Sequence, residues 1–155
     1  MATGTIHAIY IGPNRSQPLV AVAEVQAVAG KGLEGDRYFL GRGSLSRWPG
    51  PGRQVTLIEH EALEAIRRDY GFELKGGLSR RNIVTAGVTL DDRQGQKFRV
   101  GTTALFRVVQ PCQPCAYLER KTQAGVFTAL KGRGGLRAEV LEDGIIRVGD
   151  AIEFL

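Results

Sequence analysis

Apolar and polar residues alternate in short runs along most of the chain, and glycine separates one run from the next. Thr5–Ile11 and Leu19–Val28 carry the two-residue period of a strand, joined by the turn-rich stretch Gly12–Pro18. Arg53–Ile58, Asn82–Thr85, Lys97–Val100 and Ala104–Val109 read the same way. So do Leu136–Leu141, Ile145–Val148 and Ala151–Leu155, with turns at Asp143-Gly144 and Gly149-Asp150. Glu59–Tyr70 has a different period: Ala62, Leu63, Ile66 and Tyr70 fall at helical spacing. Its acids come first, its arginines last, and Gly71 follows as a stop, all of which suits a helix dipole. A second, short helix is expected around Tyr117–Leu130, and Gly41–Gly52 has no period and predicts a long surface loop. Many short strands, glycine corners and one or two helices predict a mainly β fold, a barrel with inserts.

Composition narrows the class without naming a function. A chain of 155 residues is expected to form one domain over 1–155, long enough for its own core. No apolar run approaches the roughly 20 residues of a membrane span, and the first residues lack a basic stretch followed by an apolar one. With only two cysteines, a reduced, cytoplasmic setting is the expectation. Sixteen arginines stand against five lysines in a net charge of +5. The planar fork of arginine grips phosphate and carboxylate, so the skew points to an anionic ligand or merely to codon usage. The arginines are dispersed and aromatics make up 7% of the chain, which argues against nucleic acid as a partner.

The chemically loaded segment is Cys112-Gln113-Pro114-Cys115. As half of a zinc site it requires His7 and His60, the two histidines, to converge on it. As a thioredoxin-like pair it requires a βαβ unit, which the pattern does not show. As a loop thiolate, one cysteine binds a soft metal or carries sulfur, kept ionised by neighbouring arginines. Two half-buried structural thiols are the remaining alternative. Three clusters suit a polyanion: Ser79–Thr85 with Arg80, Arg81 and Asn82; Arg133–Arg137 with Gly134 and Gly135, whose amides could form a nest; and Gly35–Arg37 with Arg53. There is no Gly-x-Ser-x-Gly elbow, dinucleotide fingerprint or P-loop, so an ordinary hydrolase, dehydrogenase or kinase is not expected.

Taken in order, Gly32–Arg37, Arg53–Ile58, Arg80–Val88, Phe98–Gly101, Cys112–Cys115 with Leu118, and Ile146–Asp150 resemble the MOSC domain, named after the C-terminal domain of molybdenum cofactor sulfurase. The similarity runs from about residue 5 to the C-terminus. It implies a closed, pyruvate-kinase-like β-barrel with a few short helices, of the small bacterial type. It implies a molybdenum cofactor (molybdopterin), with Cys115 in the place of the molybdenum ligand and Arg80 and Asn82 in a cofactor-contacting Arg-x-Asn motif. Gln113 falls where backbone contacts to the cofactor occur, and Arg137 replaces a tyrosine that contacts it. Arg37, Arg53, Arg133 and Gly135 complete the expected binding set. Two activities follow from the resemblance: reduction of N-hydroxylated compounds, or carriage of sulfur as a persulfide on Cys115 from a donor such as a cysteine desulfurase. A non-catalytic module for a phosphate-bearing cofactor, pyridoxal phosphate included, is the alternative.

Overall fold

The computed structural model describes residues 2–13, 18–43, 46, 50–74, 78–112 and 133–155. Its strands are β1 (Thr3–Ile11), β2 (Val20–Val22), β3 (Glu24–Val28), β4 (Gly32–Leu33), β5 (Val55–Glu59) and β6 (Ile83–Ala86). They continue as β7 (Lys97–Val100), β8 (Ala104–Pro111), β9 (Leu136–Glu142), β10 (Gly144–Arg147) and β11 (Ala151–Phe154). A 3-10 turn spans Pro51–Arg53, and α1 (His60–Tyr70) follows β5 directly. The expected helix around Tyr117–Leu130 lies outside the described residues. No described helix is long and apolar enough to cross a membrane.

Seven strands close a barrel in the order β1-β6-β5-β9-β8-β7-β11, and β11 pairs back onto β1. Its interior is apolar: Phe98 and Phe106 stack with centroids 5.0 Å apart, Phe154 lies 5.1 Å from Phe98, and Ile6, Leu57 and Leu136 fill around them. The bulge in β1 between Ile6 and Ala8 explains how Ile6 and Ile9 both point inward. Without the extra residue, positions three apart would face opposite sides of the sheet. A second sheet, β10-β3-β4, packs against β8 and β9.

Leu19–Val28 is not one strand. It divides at Ala23, whose carbonyl accepts from Val148 N–H at 3.0 Å; β2 stays on the barrel wall and β3 enters the second sheet. A βαβ unit, not expected from the pattern, is also present. β5 and β6 pair in parallel with α1 as the crossover, well before the cysteine pair in sequence. Leu63 and Ile66 of α1 pack with Ile58, Leu74 and Val84, so β5 is buried on both faces, as a parallel strand under a helix must be. The left-handed Gly71 caps α1 by donating its N–H to Arg67 O at 2.9 Å.

The acids opening α1 do more than complement its dipole. Glu59 Oε2 accepts from Leu90 N–H at 3.2 Å and Glu61 Oε2 from Gly87 N–H at 2.8 Å, so both hold the loop after β6. Burial pushes the Glu59 carboxyl above its usual range, against the Leu90 hydrogen bond, with Asp91 and Glu61 adding repulsion. An acid raised on folding binds its proton more tightly in the native state, so its ionisation opposes folding above that pKa. Glu59→Gln keeps an acceptor for Leu90. It should raise the urea midpoint near pH 7 and lose that gain on descent through the carboxylate range to about pH 4. An equal gain at both pH values would exclude this explanation.

Candidate functional site

The site begins at a corner held by buried polar groups. Asp36 is fully buried at the end of a tight turn, and its Oδ1 accepts from Gly12 N–H (3.0 Å), Arg37 Nη1 (3.1 Å) and Asn82 Nδ2 (3.2 Å). Asn82 Nδ2 also donates to Tyr10 O at 3.1 Å, and Asn82 Oδ1 accepts from the Thr56 amide (3.1 Å) and hydroxyl (3.2 Å). Thr56 Oγ1 in turn accepts from Asn82 N–H at 3.0 Å. The Asn82 amide group thus uses both hydrogens and accepts twice on its oxygen, which locks β5, β1 and the Asp36 turn to the residues before β6.

That lock presents Arg80 and Arg81. Arg80 is half-buried with φ of 58°, a left-handed conformation that non-glycine residues adopt sparingly. Arg81 is 6% exposed, and its Nε donates to Gly134 O at 2.9 Å, its Nη1 to Ser79 O at 3.2 Å. The first of these bonds ties the corner to the segment entering β9, 53 positions away. There Gly135 O accepts from Cys112 N–H at 2.9 Å. Cys112 is a free thiol, buried directly after β8. Together with Arg133, Gly134 and Gly135 it lines a cavity of about 600 Å³, which Asp91, Asp92 and Arg93 also line.

The other expected residues are placed as follows. Cys115 and Gln113 lie outside the described residues. Arg37 is buried in an ion pair with Asp36, and its guanidinium lies 5.0 Å from the Tyr38 ring centre. Arg53 ends the 3-10 turn and lines a separate cleft with Lys31, Tyr38 and Phe39. Arg133 reaches Asp69 at 3.6 Å and the Tyr70 ring at 5.4 Å, at the end of α1. There the Asp69 carboxyl is held below its usual range, first by the Arg68 hydrogen bond. Arg137 donates from Nη1 to Gly52 O at 3.3 Å, toward the 3-10 turn. The structure therefore joins the arginine corner to Cys112 through Gly134 and Gly135 and turns Arg137 toward Gly52. His7, in the β1 bulge, stacks on His60 with centroids 4.0 Å apart, in a pocket with Glu64 and Ser79 that Cys112 does not line. Among the described residues no three His, Cys, Asp or Glu side chains form a metal-holding group.

Comparison with known proteins places this geometry. The MOSC domain family profile matches residues 45–153. The chain belongs to the MOSC domain family. No curated protein matches it. The solved structure of YuaD from Bacillus subtilis superposes with a TM-score of 0.79 at 18% identity, covering 97% of this chain and 94% of that one. YiiM from Geobacillus stearothermophilus gives 0.73 at 23%, covering 98% and 75%. YiiM from Escherichia coli gives 0.71 at 20%, covering 100% and 70%. At these identities the likeness is one of fold. The Asp36 turn precedes the segment that the MOSC profile matches, so its lock onto Asn82 joins the two parts of the chain. Arg81, read from the sequence only as a neighbour of the motif residue Arg80, is the more buried of the two, and Asp36, read only within its Gly-Asp-Arg setting, is fully buried.

Proposed function

We propose that this MOSC protein binds a molybdenum–pterin cofactor at the cavity beside Cys112, with Cys115 as the soft ligand. The observation that carries the reading is the Arg81 Nε–Gly134 O bond, which fixes a buried guanidinium behind the wall that Cys112 and Gly135 form. The described donor set suits such a group. A cavity of about 600 Å³ is within the range of cofactor sites, arginine matches a phosphate tail, and the cysteine segment offers the thiolate chemistry that soft metals prefer. When bound, molybdenum supplies two-electron redox chemistry of the kind that reduces N-hydroxylated compounds with an external electron donor. The chain's own part is to orient the group. The arginine corner would hold the anionic end of such a group, Asn82 and Asp36 brace that corner, and Cys115 would ligate its metal.

Metal and pterin analysis of anaerobically purified protein, set beside Cys115→Ala, tests the reading. Molybdenum present in the wild type and lost in the variant is the expected result; molybdenum retained in the variant overturns it. If the wild type contains no molybdenum but gains one sulfur atom on Cys115 after incubation with a cysteine desulfurase, the cysteine is a sulfur carrier instead. In that transfer the Cys115 thiolate attacks the outer sulfur of the donor persulfide, a new S–S bond forms, and the donor leaves as its own thiolate.

A further inference from the structure

The cleft that Arg53 lines differs in charge from the other cavities described above. Asp91 and Asp92 line the Cys112 cavity, and Glu64 lines the His7–His60 pocket. The cleft encloses about 430 Å³, and the charged groups among its described lining residues are Lys31 and Arg53, both cations. Two aromatic rings, Tyr38 and Phe39, line it as well, with Lys31 Nζ 5.7 Å from the Phe39 ring centre. One residue of β9 holds both cationic segments in place. Val140 O accepts from Gly30 N–H at 3.0 Å, in the turn that carries Lys31, and Val140 N–H donates to Gln54 Oε1 at 2.8 Å, next to Arg53. Asp36 holds the aromatic segment: its Oδ2 accepts from Tyr38 N–H at 3.3 Å and its backbone O from Leu40 N–H at 3.0 Å. A Cβ at Gly30, Gly41 or Gly50, all on the lining, would meet nothing within 4 Å, so the space beside them is open. A preformed cleft with two rings, two cations and no acid among its described lining residues suits an aromatic body that bears a negative charge.

We propose that this cleft is a second ligand site and that it takes an aromatic carboxylate of one or two rings. The ring system lies against Phe39 and Tyr38, and the carboxylate pairs with the planar fork of Arg53 and the ammonium of Lys31. The cleft falls toward the lower end of the roughly 300–1,000 Å³ of small-molecule sites, which limits the ligand to a small ring system. It shares no lining residue with the Cys112 cavity. The 3-10 turn stands between the cleft and the ends of β8 and β9: Pro51 and Arg53 line the cleft, while Gly52 packs toward Val109, Gln110 and Arg137. Neither molybdenum nor Cys115 enters this recognition.

Titration of metal-free protein with naphthoate, followed by calorimetry and by 15N resonances of the backbone and the arginine side chains, tests the proposal. Naphthoate should bind and shift the Lys31 and Phe39 amides and the Arg53 guanidinium signals. Acetate and inorganic phosphate, which lack the ring, and naphthylmethylamine, which reverses the charge, should each bind roughly 10-fold more weakly or worse. Arg53→Gln should weaken naphthoate binding roughly 10- to 100-fold, the range for loss of one charge-assisted hydrogen bond. Lys31→Gln, at an exposed cation, should weaken it about 2- to 5-fold. Gly50→Leu fills the open space from a backbone at φ 164°, extended and open to any residue, and should abolish binding while leaving the melting temperature unchanged. The surface variant Arg147→Gln should bind as the wild type does. No binding of naphthoate, equal binding of acetate, phosphate or the amine, or undiminished binding in Gly50→Leu overturns the proposal. So do shifts confined to the Cys112 and Gly134 region. The wild-type ligand series decides the matter even if a variant fails to fold. Molybdenum content and naphthoate binding are read separately, so the cofactor reading and this one can each fail alone.

Discussion

Asp36→Ala should lower the unfolding free energy by about 3–5 kcal/mol, the range for breaking a buried pair by removing one partner. The carboxylate is fully buried and accepts four hydrogen bonds: from Gly12 N–H, Arg37 Nη1 and Asn82 Nδ2 on Oδ1, and from Tyr38 N–H on Oδ2 at 3.3 Å. Alanine strands all four donors at once, one of them the charged Arg37 guanidinium at 7% side-chain exposure. Against a total stability of roughly 5–15 kcal/mol, that loss approaches unfolding. Asp36→Asn separates charge from shape. It retains one acceptor oxygen, withdraws the counter-charge from Arg37, and should fall between the alanine variant and the wild type. Urea unfolding followed by circular dichroism measures both. A loss below about 1 kcal/mol for alanine would show that water enters and replaces the carboxylate. Where Asp36→Ala remains folded, Asn82 loses one of its two acceptors and the Arg80–Arg81 corner loosens.

The elements that the hydrophobic pattern predicted were those whose signals are local. α1 showed its 3.6-residue period, its charge order and its glycine stop, and β7 needed only four alternating residues. Leu19–Val28 misled because alternation continues unbroken through Ala23 while the chain passes from one sheet to another, and nothing in the period marks that passage. The parallel pairing of β5 with β6 was hidden because β6 starts more than ten residues after α1 ends, and the period of each strand shows that it exists but not which strand it pairs with. The site was legible in type and only partly in membership. Asp36 and Asn82 lie 46 positions apart, and Arg81 and Gly134 lie 53 apart. Which of two adjacent arginines is buried depends on those distant partners, so the motif favoured Arg80 while the fold buries Arg81.

Gly135→Ala should be the most damaging single-methyl change in this part of the barrel. In the sequence Gly134 and Gly135 suggested an amide nest for an anion; in the structure the pair also has a packing reason. Gly135 has φ of 87°, where an L side chain is strained, and a Cβ there would fall onto Leu57 O and within 3.0 Å of Ile58 Cα. Both are backbone atoms of β5, paired in the adjacent register through Leu57 and Leu136, so rotamer changes cannot make room. Backbone strain of about 1–3 kcal/mol and overpacking of about 1–3 kcal/mol act together. The strand must part from β5 at its first pair, carrying with it the Cys112 N–H to Gly135 O bond and the neighbouring Gly134 carbonyl that holds Arg81. Gly95→Ala is the matched control. Its φ is 82°, but nothing lies within 4 Å of the added methyl, so it pays only the left-handed penalty of about 1–2 kcal/mol. Urea midpoints of the two variants isolate the contact with β5, and hydrogen exchange should show protection lost at Cys112 and along the β5–β9 pairing in Gly135→Ala alone. Equal losses in both variants would mean that β9 can shift away from β5 at little energetic cost. The wall between the cavity and Arg81 would then be adjustable rather than fixed.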